Sequence, residues 1–231
     1  MSNIKKIWER NYKNKRFNKY PFDRVVSFIF KNFKNKNRKK IKILDLGCGG
    51  GNNSFFLAQE GFDLYAVDGS SESIKITRKR LNFYDKKKII KCNFSKLPFK
   101  KNFFDCIIDR QSLSCNSYKD IKKIVKEIYR VSKPNCRLIS FIYSLKHPDI
   151  KFGKKINENT FNSEVIGADF NNFKKGIFRK SGLIHFFSEK QILRLFSNFK
   201  KILIHRDISM KFKNSEKYET TSESFILEIK K

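Results

Sequence analysis

Apolar positions in this chain first recur at helical spacing and then break into short runs. Over residues 1–36, Trp8 and Tyr12 lie four apart, and Pro21 opens a second helix carrying Val25, Val26, Phe28, Ile29 and Phe33. The polar run NKNRKK (35–40) reads as a solvated connector. From residue 41 strand and helix patterns alternate. Residues 41–46 form an apolar run bounded by glycines, hence a buried strand. Residues 53–60 predict a short helix ended by Gly61, and 62–67 a second strand. Ser70 caps a helix running to about residue 83, and 88–92 and 103–109 are the third and fourth strands. Ser117 and Asp120 resemble a capping box before Ile121, Ile124, Val125 and Ile128. Pro134 and Asn135 break that helix, and 136–143 is a fifth strand. Residues 144–187 show no clear period, and a connection of that length is expected to be functional or mobile. Ser188 and Gln191 form a capping box before Ile192, Leu195 and Phe196. Residues 201–208 and 224–230 read as two closing strands with a polar loop, 213–222, between them. The alternation predicts an α/β fold in one domain over 1–231, a mostly parallel seven-stranded sheet with helices on both faces.

Composition narrows the class. The 231 residues are 39% hydrophobic and 15% aromatic, enough to build a core and to exclude a disordered tail. The basic N-terminus has no apolar stretch behind it, and no apolar run approaches the length of a membrane span. Cys48, Cys92, Cys106, Cys115 and Cys136 form no CxxC pair, so the expectation is a reducing cytoplasm and no structural metal. The formal charge of +30 has two readings. It is the electrostatic footprint of a phosphate binder. It is also what an AT-rich genome produces, because Lys far outnumbers Arg and Lys, Asn, Ile and Phe dominate the chain. Lys is spread along the sequence, which favours background charge over a nucleic-acid partner.

The informative chemistry lies in KIKILDLGCGGGNNSFFLAQEGFDLYAVDGS, residues 40–70. In a parallel sheet, ligands bind beyond the carboxyl ends of the strands. Asp45 nearly ends the first strand, Gly47, Gly49 and Gly51 follow at every second position, and Asp68 ends the second strand. A carboxylate there accepts hydrogen bonds from a ribose diol. The dinucleotide fingerprint G-x-G-x-x-G fails in each frame, because Asn52 or Ser54 stands where the third glycine belongs. An acid ahead of the glycines suits a cationic ligand better than a pyrophosphate.

With these motifs the sequence resembles the class I S-adenosylmethionine-dependent methyltransferases. ILDLGCGGG is similar to that family's first motif and YAVDGS to its second. CNFSKLPFKKNFFDCIID, IVKEIYRVSKPNCRLISF and GLIHFFSEKQILRLFSNF resemble its later segments. The resemblance implies a Rossmann-like sheet whose last strand is antiparallel, and S-adenosyl-L-methionine as cofactor. It implies cofactor contacts at Asp45, Gly47, Cys48, Gly49, Gly51, Asp68, Gly69, Ser70, Asn93, Phe94 and Asp109. The family usually has Asp where Asn93 stands, and the Asn oxygen can still accept a hydrogen bond from an adenine amine.

The acceptor side is open to more than one reading. An oxygen acceptor calls for a base, and Asp109 and His147 are the catalytic candidates, each with a structural alternative as an ion-pair or surface residue. Arg110, Gln111, Ser112 and His185 are candidates for the acceptor pocket. Trp8, Tyr12 and Tyr20 either form a lid or pack the N-terminal helices, 1–36, onto the sheet. The resemblance implies a small-molecule methyltransferase, with O-methylation of a sugar or nucleotide-sugar-like metabolite as the expected reaction and 144–187 as substrate cover. The alternatives are an RNA methyltransferase and a non-catalytic partner subunit, and the expected state is a monomer or homodimer. No N-P-P-Y loop or Pro-Cys pair for base methylation is present.

Overall fold

The computed structural model describes residues 3–14, 18–157, 159–162, 182–213 and 217–231. Five apolar runs become parallel strands: β1 (Lys42–Leu46), β2 (Asp63–Asp68), β3 (Ile89–Lys91), β4 (Phe104–Arg110) and β5 (Ser132–Ser144), ordered β3-β2-β1-β4-β5. Strand side chains alternate between two apolar layers, as a sheet covered on both faces requires. Ile43, Leu64, Ala66, Cys106 and Ile108 pack against α2 (Asp23–Phe33), α3 (Asn52–Gln59) and α4 (Ser71–Arg80). Leu44, Leu46, Val67, Ile107 and Leu138 pack on the other face against α5 (Tyr118–Val131) and α6 (Glu189–Leu195).

Beyond β5 the chain closes the sheet with a hairpin, β9 (Lys201–Lys213) and β10 (Lys217–Lys230). β10 runs antiparallel to β5, pairing Ser224 with Tyr143 through to Lys230 with Arg137, and β9 flanks it. The result is the order β3-β2-β1-β4-β5-β10-β9, the seven-stranded, mostly parallel sheet with an antiparallel last strand that the sequence predicts. The hairpin is longer than expected, because most of 213–222 belongs to its strands rather than to a loop. An antiparallel pair needs no apolar face, so polar sequence containing Tyr218, Thr220 and Thr221 extends it.

The second departure is in 144–187. It contains a 3-10 turn at Pro148–Phe152 and strands β6 (Lys154–Asn157), β7 (Thr160–Asn162) and β8 (Leu183–Phe187). These form a small antiparallel sheet, joined to the end of β5 where Tyr143 and Ser144 pair with Phe186 and Phe187. Strands this short, and exposed in β6, carry no readable alternation. The part of this segment at 163–181 lies outside the described residues.

The N-terminal helix α1 (Asn3–Lys13) is tied to α4. Glu9 accepts hydrogen bonds from the backbone N–H groups of Ser71 and Glu72, which open α4. Partial burial works against the Glu9 charge, but these donors hold its carboxyl below the ordinary carboxylate range. At the other end of the sheet, Phe104 is fully buried among Tyr65, Phe99 and Phe103, with ring centroids 4.8–5.5 Å away. Phe104→Ala is expected to cost about 3–5 kcal/mol of stability, read from urea denaturation; a loss under about 1 kcal/mol would show that the aromatic cluster is not a packed core.

Candidate active site

The carboxyl ends of β1, β2, β4 and β5 open onto a cleft of about 1000 Å³. Its floor is the turn after β1. Gly47, Gly49 and Gly51 have φ of 76°, 57° and 75°, a region that glycine enters without strain. The turn is pinned to β2, because Gly47 and Cys48 donate to the Val67 carbonyl at 2.8 and 3.0 Å. Its outer carbonyl, Gly49 O, accepts from Ser73 Oγ and Thr77 Oγ1 of α4 at 2.7 and 2.9 Å. Gly47, Cys48 and Gly49 line the cleft, and Gly51 caps α3.

Asp68 stands on the cleft wall, 8% exposed. Its Oδ2 accepts from Gly49 N at 3.0 Å and its Oδ1 from Ser70 N at 2.8 Å. Each oxygen keeps acceptor capacity toward the cleft. Burial raises the Asp68 carboxyl above its ordinary range, against the donors that lower it. Gly69 and Ser70 continue the wall, and the Ser70 hydroxyl caps α4 through Ser73 N. Phe94 and Asn93 line the opposite side. The Asn93 oxygen accepts from Ser95 N and Ser95 Oγ, both at 3.0 Å, so in this structure it holds its own turn.

Asp45 lies behind the turn rather than on the cleft wall, 1% exposed and accepting from Ser54 Oγ. Burial pushes its carboxyl to about 7; the Ser54 hydrogen bond opposes this, and the Asp68 and Asp109 charges add to it.

Asp109 is also placed differently from the expectation of a catalytic base or cofactor ligand. It is fully buried and off the cleft wall. Ser112 N, Ser112 Oγ and Leu113 N surround its Oδ1, and Ser140 Oγ donates to its Oδ2 at 2.6 Å. It shapes the turn after β4, in which Gln111 adopts φ 66°. That turn presents Arg110, Gln111, Ser112, Cys115 and Asn116 to the cleft.

The two histidines do not reach the cleft. His147 is 2% exposed, accepts from Asp149 N at 3.1 Å through Nδ1, and faces Ser222 Oγ with Nε2. His185 is buried on β8, stacked 4.9 Å from Tyr118 with Nδ1 2.9 Å from Thr160 Oγ1. Burial lowers both imidazoles to about 4, so both are neutral at pH 7. The expected catalytic role for His147 and acceptor role for His185 do not fit these positions.

A family model described as "Methyltransferase domain" matches residues 44–140, the span from the glycine turn through β5. The solved structure of a SAM-dependent methyltransferase from Methanosarcina mazei superposes with a TM-score of 0.64 at 19% identity, covering 92% of this chain and 98% of its own. Residues 44–140 therefore carry a methyltransferase domain, in line with the resemblance of the sequence to the class I S-adenosylmethionine-dependent methyltransferases. Two curated relatives of this chain are named for quinone chemistry. A ubiquinone/menaquinone biosynthesis C-methyltransferase of Wigglesworthia glossinidia brevipalpis is 32% identical over 57% of this chain and 56% of its own length. A ubiquinone biosynthesis O-methyltransferase of Pelagibacter ubique is 29% identical over 71% of this chain and 65% of its own. The chain spans about half the length of most of the curated relatives it matches.

The N-terminal helices complete the cleft. Trp8 and Tyr12 line it, with ring centroids 6.0 Å apart, whereas Tyr20 is 80% exposed. Phe22, Asn52, Asn53 and Tyr143 line it too, without having been singled out as site residues from the sequence. Asn53 Oδ1 accepts from Phe22 N, and Asn52 Nδ2 donates to Tyr20 O, so the two asparagines after the glycines anchor the 18–22 connector. The consecutive Asn pair was the available signal.

Asp45 generates a pH prediction. Its folded pKa lies above the ordinary 3.8, so the stability it contributes is complete below about pH 4 and lost as pH rises through about 7. Asp45→Asn, which keeps an acceptor for Ser54, should gain on the order of a few kcal/mol over wild type at pH 8 and nothing at pH 4. Urea midpoints at the two pH values read the difference, and equal shifts at both would argue against a protonated Asp45.

Proposed function

We propose that the chain transfers a methyl group from S-adenosylmethionine to a small molecule bound between the glycine turn, α1 and the turn after β4. The observation that carries this is Asp68 on the cleft wall, with its two oxygens fixed by Gly49 N and Ser70 N beside glycines that leave the backbone bare. The residues fit an adenosyl cofactor. Asp68 has acceptor capacity left for a ribose diol, and Phe94 supplies a flat apolar wall. Asp68 places a carboxylate on the cleft wall beside the turn, which suits a cationic ligand. Bound S-adenosylmethionine supplies an already activated methyl group on a positively charged sulfur.

The chain's own contribution is orientation, which can supply most of the rate in a displacement of this kind. Among the described residues the cleft lining includes no His, Glu or Lys, and its two carboxylates are engaged, Asp68 by the glycine turn and Asp120 by Ser117 Oγ. That supports an acceptor able to act as a nucleophile without a protein base. The expected sugar hydroxyl finds no support among the relatives, whose names point to ring acceptors, and Trp8, Phe22 and Tyr143 provide planar walls for a ring. In this reading α1 covers the cofactor end and the β5–β8 region flanks the acceptor end. Against a nucleic acid, the charged residues lining the cleft are Asp68, Asp120 and Arg110, with no basic stripe.

A labelled-methyl assay over pooled small metabolites and total RNA should place the label in the small-molecule pool, and label confined to RNA would overturn the acceptor class. Asp68→Ala is expected to weaken S-adenosylmethionine binding about 100-fold by calorimetry, the worth of two charge-assisted hydrogen bonds; unchanged affinity would remove the cofactor assignment.

A further inference from the structure

Resting on the methyl-transfer reading above, we propose that Arg110 binds an oxyanion, carboxylate or phosphate, carried by the methyl acceptor. Arg110 is the last residue of β4 and forms part of the cleft wall. Its guanidinium carbon lies over two rings, 4.0 Å from the Phe22 centroid and 5.1 Å from that of Phe141. Its Nε and Nη1 are buried and have no hydrogen-bond partner among the described residues. No carboxylate of the described residues forms an ion pair with it. The acid next to it in sequence, Asp109, is occupied by Ser112, Leu113 and Ser140, and Asp207 acts on it only through its field. The Tyr143 hydroxyl is its polar neighbour.

Burying a charged donor without a partner is expensive, and chains avoid it unless something completes the pair. The two rings attract the cation through their π faces, but they accept no in-plane hydrogen bond from it. The unsatisfied donors therefore ask for a ligand acceptor, and a guanidinium favours planar or tetrahedral oxyanions. Phe22 and Tyr143 flank the same wall, so the acceptor class is a ring bearing an anionic group. The positive charge also disfavours a cationic amine there.

S-adenosylmethionine carries a carboxylate of its own, so the test is made on protein saturated with S-adenosylhomocysteine. Benzoate, phenyl phosphate and neutral benzamide are titrated by calorimetry, with the fluorescence of Trp8, the sole tryptophan, as a second readout. At least one of the two anions should bind about tenfold or more tighter than benzamide. Arg110→Met should erase that preference and Arg110→Lys should keep part of it, with circular dichroism and melting showing that both fold. Equal binding of benzamide, or a preference that survives in Arg110→Met, overturns the proposal. So does an anion preference seen only without S-adenosylhomocysteine, which would assign Arg110 to the cofactor's carboxylate. Wild-type protein that takes up no S-adenosylhomocysteine sinks the methyl-transfer reading itself, a result distinct from the others.

Discussion

A Cβ placed on Gly47 would fall 2.3 Å from the Ser112 Cβ, a separation no side chain survives. The turn after β1 and the turn after β4 therefore meet only because residue 47 is bare. Both halves of the cleft hang from that approach. On one side it brings Gly49 N to the Asp68 carboxylate. On the other it seats Ser112 between the Leu46 carbonyl and Asp109, which in turn fixes the backbone that points Arg110 and Gln111 inward. The same tightness recurs at Gly49, where a Cβ would meet the Tyr12 hydroxyl at 2.7 Å, and at Gly51, where it would meet Thr77. One backbone turn thus receives contacts from α1, α4 and the β4 turn together.

The second organising contact is Glu9 on the first N–H groups of α4. α4 begins immediately after Asp68 and Ser70, so the helix that holds the glycine turn through Ser73 and Thr77 and the carboxylate on the cleft wall share one support. Displacement of α1 would take Trp8 and Tyr12 off the cleft and remove a carboxylate from the α4 N-terminus in the same movement.

Much of this was legible in the residues. Strand positions and the parallel class of the sheet follow from alternating apolar runs, and the glycine spacing with Asp68 fixes where the cleft opens, because backbone conformation and strand ends are local properties. Direction of a side chain at a strand end is not local. Asp109 and His147 have the right type and position for catalysis, yet Ser112, Leu113 and Ser140 enclose one, while Tyr143, Phe186 and the Asp149 backbone enclose the other. Nothing near them in sequence announces those neighbours, apart from the Ser at 112. Phe22 and Tyr143 were not singled out as site residues for the same reason, since they reach the cleft through pairings across the fold. Asn93 shows the opposite case, a motif position whose side chain prefers its own turn.

The lysine excess takes on a different meaning at the margins of the sheet. Among the described residues β9 pairs on one side only, with β10, and β3 ends the other flank. Unpaired strand edges are templates for joining another chain. β3 is three residues long, preceded by Lys86, Lys87 and Lys88 and ending in Lys91. β9 begins at Lys201 and carries Lys211 and Lys213 beside exposed Leu203, Ile208 and Met210. Lysines that contribute nothing to the cleft therefore stand at the strand margins where two copies could pair edge to edge, and like charge on both partners opposes such pairing.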